Sequence, residues 1–353
     1  MAKSVGVPRA AWRLAPKIAA SMTRRRFRAP VIKNSPERED EQALQQEAAQ
    51  SAAQGQFDTI LDHVRRQLAS RQTAPTGLRH SEATFAGLYA GLFDLESDPK
   101  AADKAAQQYR DWFSRDGQDP DIAALCARAL QILTQFHHGG GTASRSMMAR
   151  ARSISNHLAD AADIMESAAE RGKTREIWHR TRFRGAALEC DDPGEIADRF
   201  ERFLRFDPGN MVTYFERTIQ LLPRWHGDYE QVEAFAQDAT HRTGEKWGAA
   251  LYMMIYGVVS ASEPMDKVHA QWDWILDGFE DALEVFPPHL VLNDFIRLAA
   301  RMKRQDLVRQ LFDKLPELRL DRWDDVREPF EVHAWANDRA QWPYGADSAR
   351  KLA

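Results

Sequence analysis

From Glu37 to about residue 338, apolar residues recur three and four positions apart, and the breaks between runs fall on Pro, Gly, Asp or Asn. That spacing lays one apolar stripe along each of a succession of helices. No window alternates apolar and polar residues long enough to make a strand. A chain patterned this way buries its stripes by stacking helix on helix. The expected fold is therefore all-α, with antiparallel helix hairpins stacked as an α-solenoid.

The spacing predicts helices near 38–53, 57–71, 81–95, 99–115, 120–137, 144–171, 174–190, 193–206, 210–222, 229–243, 245–261, 266–285, 289–302, 304–315 and 323–338. Asp98-Pro99, Asp119-Pro120 and Asp192-Pro193 suit helix starts, with Asp capping and Pro in the first turn. The run Ala249 to Ala261 is apolar on every side but falls short of the roughly 20 residues needed to cross a bilayer. It reads as a fully buried helix, and no membrane span is expected.

The organisation reads as a disordered basic tail (1–36), an N-terminal helical bundle (37–138), a repeat body (142–338) and a C-terminal tail (339–353), with the glycine run at 139–141 as the flexible break. Residues 1–33 carry nine basic and no acidic residues. Thr23-Arg24-Arg25-Arg26-Phe27 is similar to a twin-arginine export core, but Ala29-Pro30-Val31-Ile32-Lys33 is not the apolar segment export requires. An acid-free, Ala-rich start is also similar to an organellar transit peptide. A further reading is a basic arm for nucleic acid or an anionic surface, the one route to nucleic acid here. The net charge of −4 gives the whole chain no pull toward polyanions. Cys126 and Cys190, in no Cys-x-x-Cys pair, read as buried thiols of a reducing compartment, so a cytoplasmic location is expected.

Within the repeat body the helices share a grammar. Phe200, Phe203 and Leu204 precede Asp207-Pro208-Gly209-Asn210; Gly227 and Tyr229 precede Val232, Ala236 and Ala239; Phe279, Ala282 and Leu283 precede Pro287; Leu307, Val308, Phe312 and Leu315 close the series. The equivalent points Phe200, Ala236, Phe279 and Phe312 lie 36, 43 and 33 residues apart, against a period of about 34 in tetratricopeptide repeats. About half the chain resembles a degenerate tetratricopeptide array, with Lys303 where the last turn would carry Gly. Leu222-Pro223-Arg224-Trp225-His226-Gly227-Asp228-Tyr229 followed by Phe235-Ala236, with Leu292-Asn293-Asp294-Phe295 and Leu311-Phe312, resembles an uncharacterised bacterial domain family with a Pro-Arg-Trp-x-Gly motif. That resemblance implies a fold and no activity.

In this corner Pro223 ends a helix, Gly227 lets the backbone turn, and Trp225 and Tyr229 can bury aromatic area. The alternative is that Arg224 and Trp225 stay exposed and contact a partner. Trp323, Trp335 and Trp342 with Tyr344 read as the cap of the array, or, more sharply, Trp323 and Trp335 belong to a peptide-binding aromatic groove.

Catalytic signatures are absent from the sequence. His138-Gly139-Gly140-Gly141 matches an esterase oxyanion motif without the Gly-x-Ser-x-Gly elbow that motif needs. His137 and His138 point about 100° apart on a helix and lack a third ligand. Glu189 with Asp191 and Asp192 reads as a solvated helix end. No phosphate loop or dinucleotide fingerprint occurs. The expected function is a non-catalytic scaffold, without cofactor or metal, that binds a protein or peptide on a concave face formed by the helices at 174–190, 210–222 and 245–261. The alternative is an all-α enzyme whose site is scattered among helices, as by His179, Glu216 and His241.

Overall fold

A computed structural model describes residues 29–33, 35–93, 99–135, 145–189, 192–225, 227–337 and 340–344. Among these the fold is all-α, with helices packing on their neighbours in sequence. The helices are α1 (Glu39–Ala53), α2 (Phe57–Ser70), α3 (His80–Phe93), α4 (Pro99–Asp116), α5 (Pro120–Gln135), α6 (Arg145–Ser167), α7 (Ala169–Gly172), α8 (Glu176–Glu189), α9 (Pro193–Leu204), α10 (Met211–Gln220), α11 (Tyr229–Trp247), α12 (Ala250–Ser260), α13 (Trp272–Val285), α14 (Pro288–Arg301), α15 (Gln305–Lys314) and α16 (Glu328–Ala336). The single helix expected over 144–171 is two, parted at Ala168. The glycine run at 139–141, Cys190, Asp191, His137, His138 and His226 lie outside the described residues.

The described residues fall into two compact units. The first takes in those within Asp40–Ala74 and Leu78–Thr213, the second those within Met1–Glu39, Pro75–Gly77 and Tyr214–Ala353.

The first unit is organised about α5, which packs on α3, α4, α6, α7 and α8. Alanines at 123, 124, 127 and 129 are fully buried, and their small side chains let the neighbouring helices approach on several sides at once. Cys126 lies in the same face as a free, buried thiol, and burial pushes its pKa up. Asp119 caps α5 by accepting the Asp121 backbone N–H at 2.9 Å, and Asp192 caps α9 by accepting the Gly194 N–H at 2.9 Å. Both caps stand before a proline in the helix's first turn, where its missing N–H costs nothing. Buried charge is paired. Glu82 accepts from Arg180 and Arg184, each at 2.8 Å, and from Asn210 at 2.9 Å. The Arg180 guanidinium lies 3.5 Å over the Phe85 ring.

In the second unit α12 packs against α11, α13 and α14, and eight of its eleven residues are buried. The apolar run at 249–261 is thus core on most of its sides. Phe279 stacks on Phe295 with ring centroids 4.0 Å apart and ties α13 to α14. Lys303, standing where the repeat grammar would place Gly, has φ 58° in the turn between α14 and α15. The backbone there takes the left-handed form that favours glycine, whatever the side chain.

Two expectations need correction. The chain does contain strands: β1 (Val31–Ile32) pairs in parallel with β2 (Leu318–Arg319). Within the segment expected to be disordered through residue 36, residues 29–33 and 35–36 are part of the described fold. Pro30 O accepts from the Leu318 N–H at 2.8 Å, Ser35 Oγ donates to Asp321 Oδ1 at 2.9 Å, and Ser35 is buried. Two-residue strands lie below what alternation can reveal.

Candidate functional site

The corner between α10 and α11 is built by backbone constraints. Pro223 cannot extend α10, and the chain turns through bonds from the Leu222 N–H to Ile219 O at 3.2 Å and from the Trp225 N–H to Leu222 O at 2.9 Å. A Cβ on Gly227 would lie 2.3 Å from the Leu221 carbonyl oxygen, so only glycine lets the two strands of the corner approach. Asp228, in extended conformation, accepts the Gln231 N–H at 2.8 Å and starts α11.

Glu263 locks the corner from the far side. Tyr229 donates its hydroxyl to Glu263 Oε2 at 2.7 Å, and Arg224 Nε lies 3.7 Å from Glu263 Oε1. Burial first, and then the Glu263 carboxylate, push the Tyr229 pKa up to about 12. Leu221 and Leu222 are buried beneath, but Trp225 is 45% exposed. The expectation that Trp225 buries its ring at the corner is therefore corrected. The turn holds its backbone with the indole outside, beside the half-exposed Arg224.

The other proposed aromatic contacts are core. Trp323 and Trp335 are buried, at 7% and 8% exposure. The Trp323 indole donates to Asn293 and its ring stacks with Phe312. Trp342 donates its indole N–H to Ala300 O at 3.0 Å, and Tyr344 its hydroxyl to Glu328 Oε1 at 2.6 Å, so both pack on the end of α14 and the start of α16. These residues finish the second unit and present no aromatic groove through Trp323 or Trp335.

Of the residues considered for a scattered catalytic site, His179 belongs to the first unit, while Glu216 and His241 belong to the second. His179 sits between Trp178 and Phe206 with Nε2 2.9 Å from Lys173 O, and burial lowers its pKa. His241 meets the Trp274 ring edge-on.

The first unit also holds a cavity of about 350 Å³ between the end of α2 and the start of α8, with Arg65, Arg71, Asp121, Arg175, Glu176 and Phe206 in its wall. Asp121 accepts from Arg65 Nε at 2.8 Å and from Arg175 Nε at 3.0 Å. Arg65 Nη2 reaches on to Asp119 at 2.6 Å. Arg71 forks onto Glu176 at 2.7 and 2.6 Å and adds a bond to Phe206 O at 3.0 Å. Arg71 follows α2 at φ 54°, a left-handed position where a non-glycine residue is strained. Burial raises the Glu176 pKa and outweighs the pull of Arg71. Burial would raise Asp119 too, but the Arg65 hydrogen bond and the Asp121 N–H hold it below the ordinary carboxylate value.

Sequence reasoning missed this cavity, because Arg71 and its partner Glu176 stand 105 positions apart and neither belongs to a motif. The one local signal was an arginine placed directly after a helix that needed a left-handed terminator. Among the described residues no three His, Cys, Asp or Glu side chains are grouped to hold a metal ion, and no helix is long and apolar enough to cross a membrane. Comparison with protein-family models, curated proteins and solved structures gives no match for this chain.

Proposed function

We propose that this chain is a non-catalytic helical-repeat scaffold, tetratricopeptide-like in its grammar, that binds a protein or peptide segment, with the Arg224–Trp225 corner as a principal contact. The observation that carries the reading is the exposure of Trp225 at a corner where Pro223 ends one helix and Asp228 caps the next. A tryptophan in water forfeits a large burial free energy, and the rest of the corner is built in a way that keeps it outside. Trp and Arg are the side chains that most often dominate binding energy when a partner covers them.

The test is affinity capture from the native host with the full chain and with the double variant Arg224→Ala/Trp225→Ala, both checked for unchanged helicity. A stoichiometric protein held by the first and lost by the second supports the reading. Identical captured proteins on both would overturn the assignment of the corner.

A further inference from the structure

We propose that the cavity between α2 and α8 is a binding site for a small organic oxyanion: a phosphate or carboxylate group carried on a compact apolar body. The wall contains three arginines and two carboxylates, but the two signs are not equally accessible. The Arg65 and Arg71 side chains are each 35% exposed and that of Arg175 43%, whereas Asp121 is 1% and Glu176 12% exposed. The two wall carboxylates hold the guanidinium planes and are the less exposed partners, so the charge the wall itself exposes most is cationic; Asp119 and Asp207, which pair with Arg65 and Arg71, lie outside the wall. Pairing also leaves donors over. Among the described residues Arg65 Nη1, Arg175 Nη1 and Arg71 Nε have no hydrogen-bond acceptor. Planar guanidinium edges suit the oxygens of a phosphate or carboxylate.

Apart from Thr174 the rest of the wall is apolar, with Leu68, Ile177 and Phe206 beside the charged groups. The volume lies near the lower end of small-molecule sites, roughly 300–1,000 Å³, and exceeds what a bare inorganic ion fills. The strained Arg71 fits the same account. A glycine would satisfy φ 54° without cost, and the arginine there supplies the Glu176 fork and the free Nε.

The experiment is calorimetric titration of the full chain with phenyl phosphate, phenylacetate and inorganic phosphate. Saturable binding of at least one aryl probe is expected, with inorganic phosphate weaker. Which aryl probe binds tells phosphate from carboxylate ligands. Arg175→Gln leaves Asp121 paired with Arg65 and should weaken binding about tenfold or more. Arg71→Gly, which relieves the turn but takes the guanidinium from Glu176, should weaken it as well in chain shown to be folded by circular dichroism. Arg115→Gln, at an exposed pair with Asp116 away from the cavity wall, should change nothing. Two results would overturn the proposal: no saturable binding of either aryl probe, or wild-type affinity in both Arg175→Gln and Arg71→Gly. Inorganic phosphate binding as tightly as phenyl phosphate would overturn the apolar body as part of the ligand.

Discussion

Asn293 holds Trp323 by its indole: Oδ1 accepts from Nε1 at 3.1 Å. The same oxygen accepts the Arg319 backbone N–H at 3.0 Å, while Nδ2 donates to His289 O at 2.7 Å and Glu317 O at 3.1 Å. All four hydrogen-bonding positions of the carboxamide are filled, and the side chain is fully buried. One residue of α14 thereby fixes β2, the turn after it and a core tryptophan. Asn293→Ala takes the side-chain partner from the indole N–H and from three backbone groups, so we expect a loss of about 3 kcal/mol in urea denaturation. A loss under about 1 kcal/mol would mean that the network is replaceable.

In the first unit one oxygen of Glu82 accepts from both Arg180 and Arg184. Removing it takes that acceptor from Arg180, which is buried, and from Arg184, and breaking a buried pair of this kind costs about 3–5 kcal/mol. Glu82→Ala should lower stability by that much in urea denaturation. Arg184→Ala, which leaves Glu82 paired with Arg180 and Asn210, should cost clearly less. Equal losses for the two variants would contradict the account.

Glu176 in the cavity wall and Asp119, which pairs with Arg65 beside it, should titrate apart. Glu176 has a folded pKa above its ordinary 4.5, so its proton is held more tightly in the folded chain. Its contribution favours folding below 4.5 and is lost as pH rises through the folded pKa. Asp119 has a folded pKa below its ordinary 3.8, so its contribution is present above 3.8 and lost as pH falls through the folded value. On acidification Glu176 protonates first and loosens its hold on Arg71, while Asp119 still grips Arg65. Carboxyl-carbon NMR titration should show that order, and the reverse order would refute the electrostatics described for the cavity.

Residues 29–35 behave as part of the second unit. A chain beginning at Pro36 loses β1, the Pro30 acceptor and the Ser35–Asp321 bonds. Against a chain beginning at Ala29 it should be less stable by about 2 kcal/mol. A melting temperature lowered by several degrees checks this, and equal melting would show that β1 contributes nothing.

How much was legible beforehand depends on the range of the interaction. Helices show in a 3.6-residue spacing, and most boundaries lie within a few residues of the expected ones, because caps such as Asp119 and Asp192 act within one turn. The corner at 223–229 was legible as a turn for the same reason. The exposure of Trp225 was not, since burial is decided by residues such as Leu221 and Glu263 that meet only in three dimensions. Trp323 could be read in the sequence as cap or groove, and its contacts with the distant Asn293 and with Phe312 make it core. The arginine cavity brings together α2 and α8, more than a hundred positions apart, through ion pairs that leave no periodic trace.

The most direct test of the scaffold reading is to place a photo-crosslinking amino acid at Trp225 and, in a separate chain, at Val285, which is 43% exposed and lies outside the corner. Irradiation in the native host is expected to give a discrete protein adduct from position 225 and none from 285. No adduct at 225, or the same adducts from both positions, would contradict a binding corner built around Arg224 and Trp225.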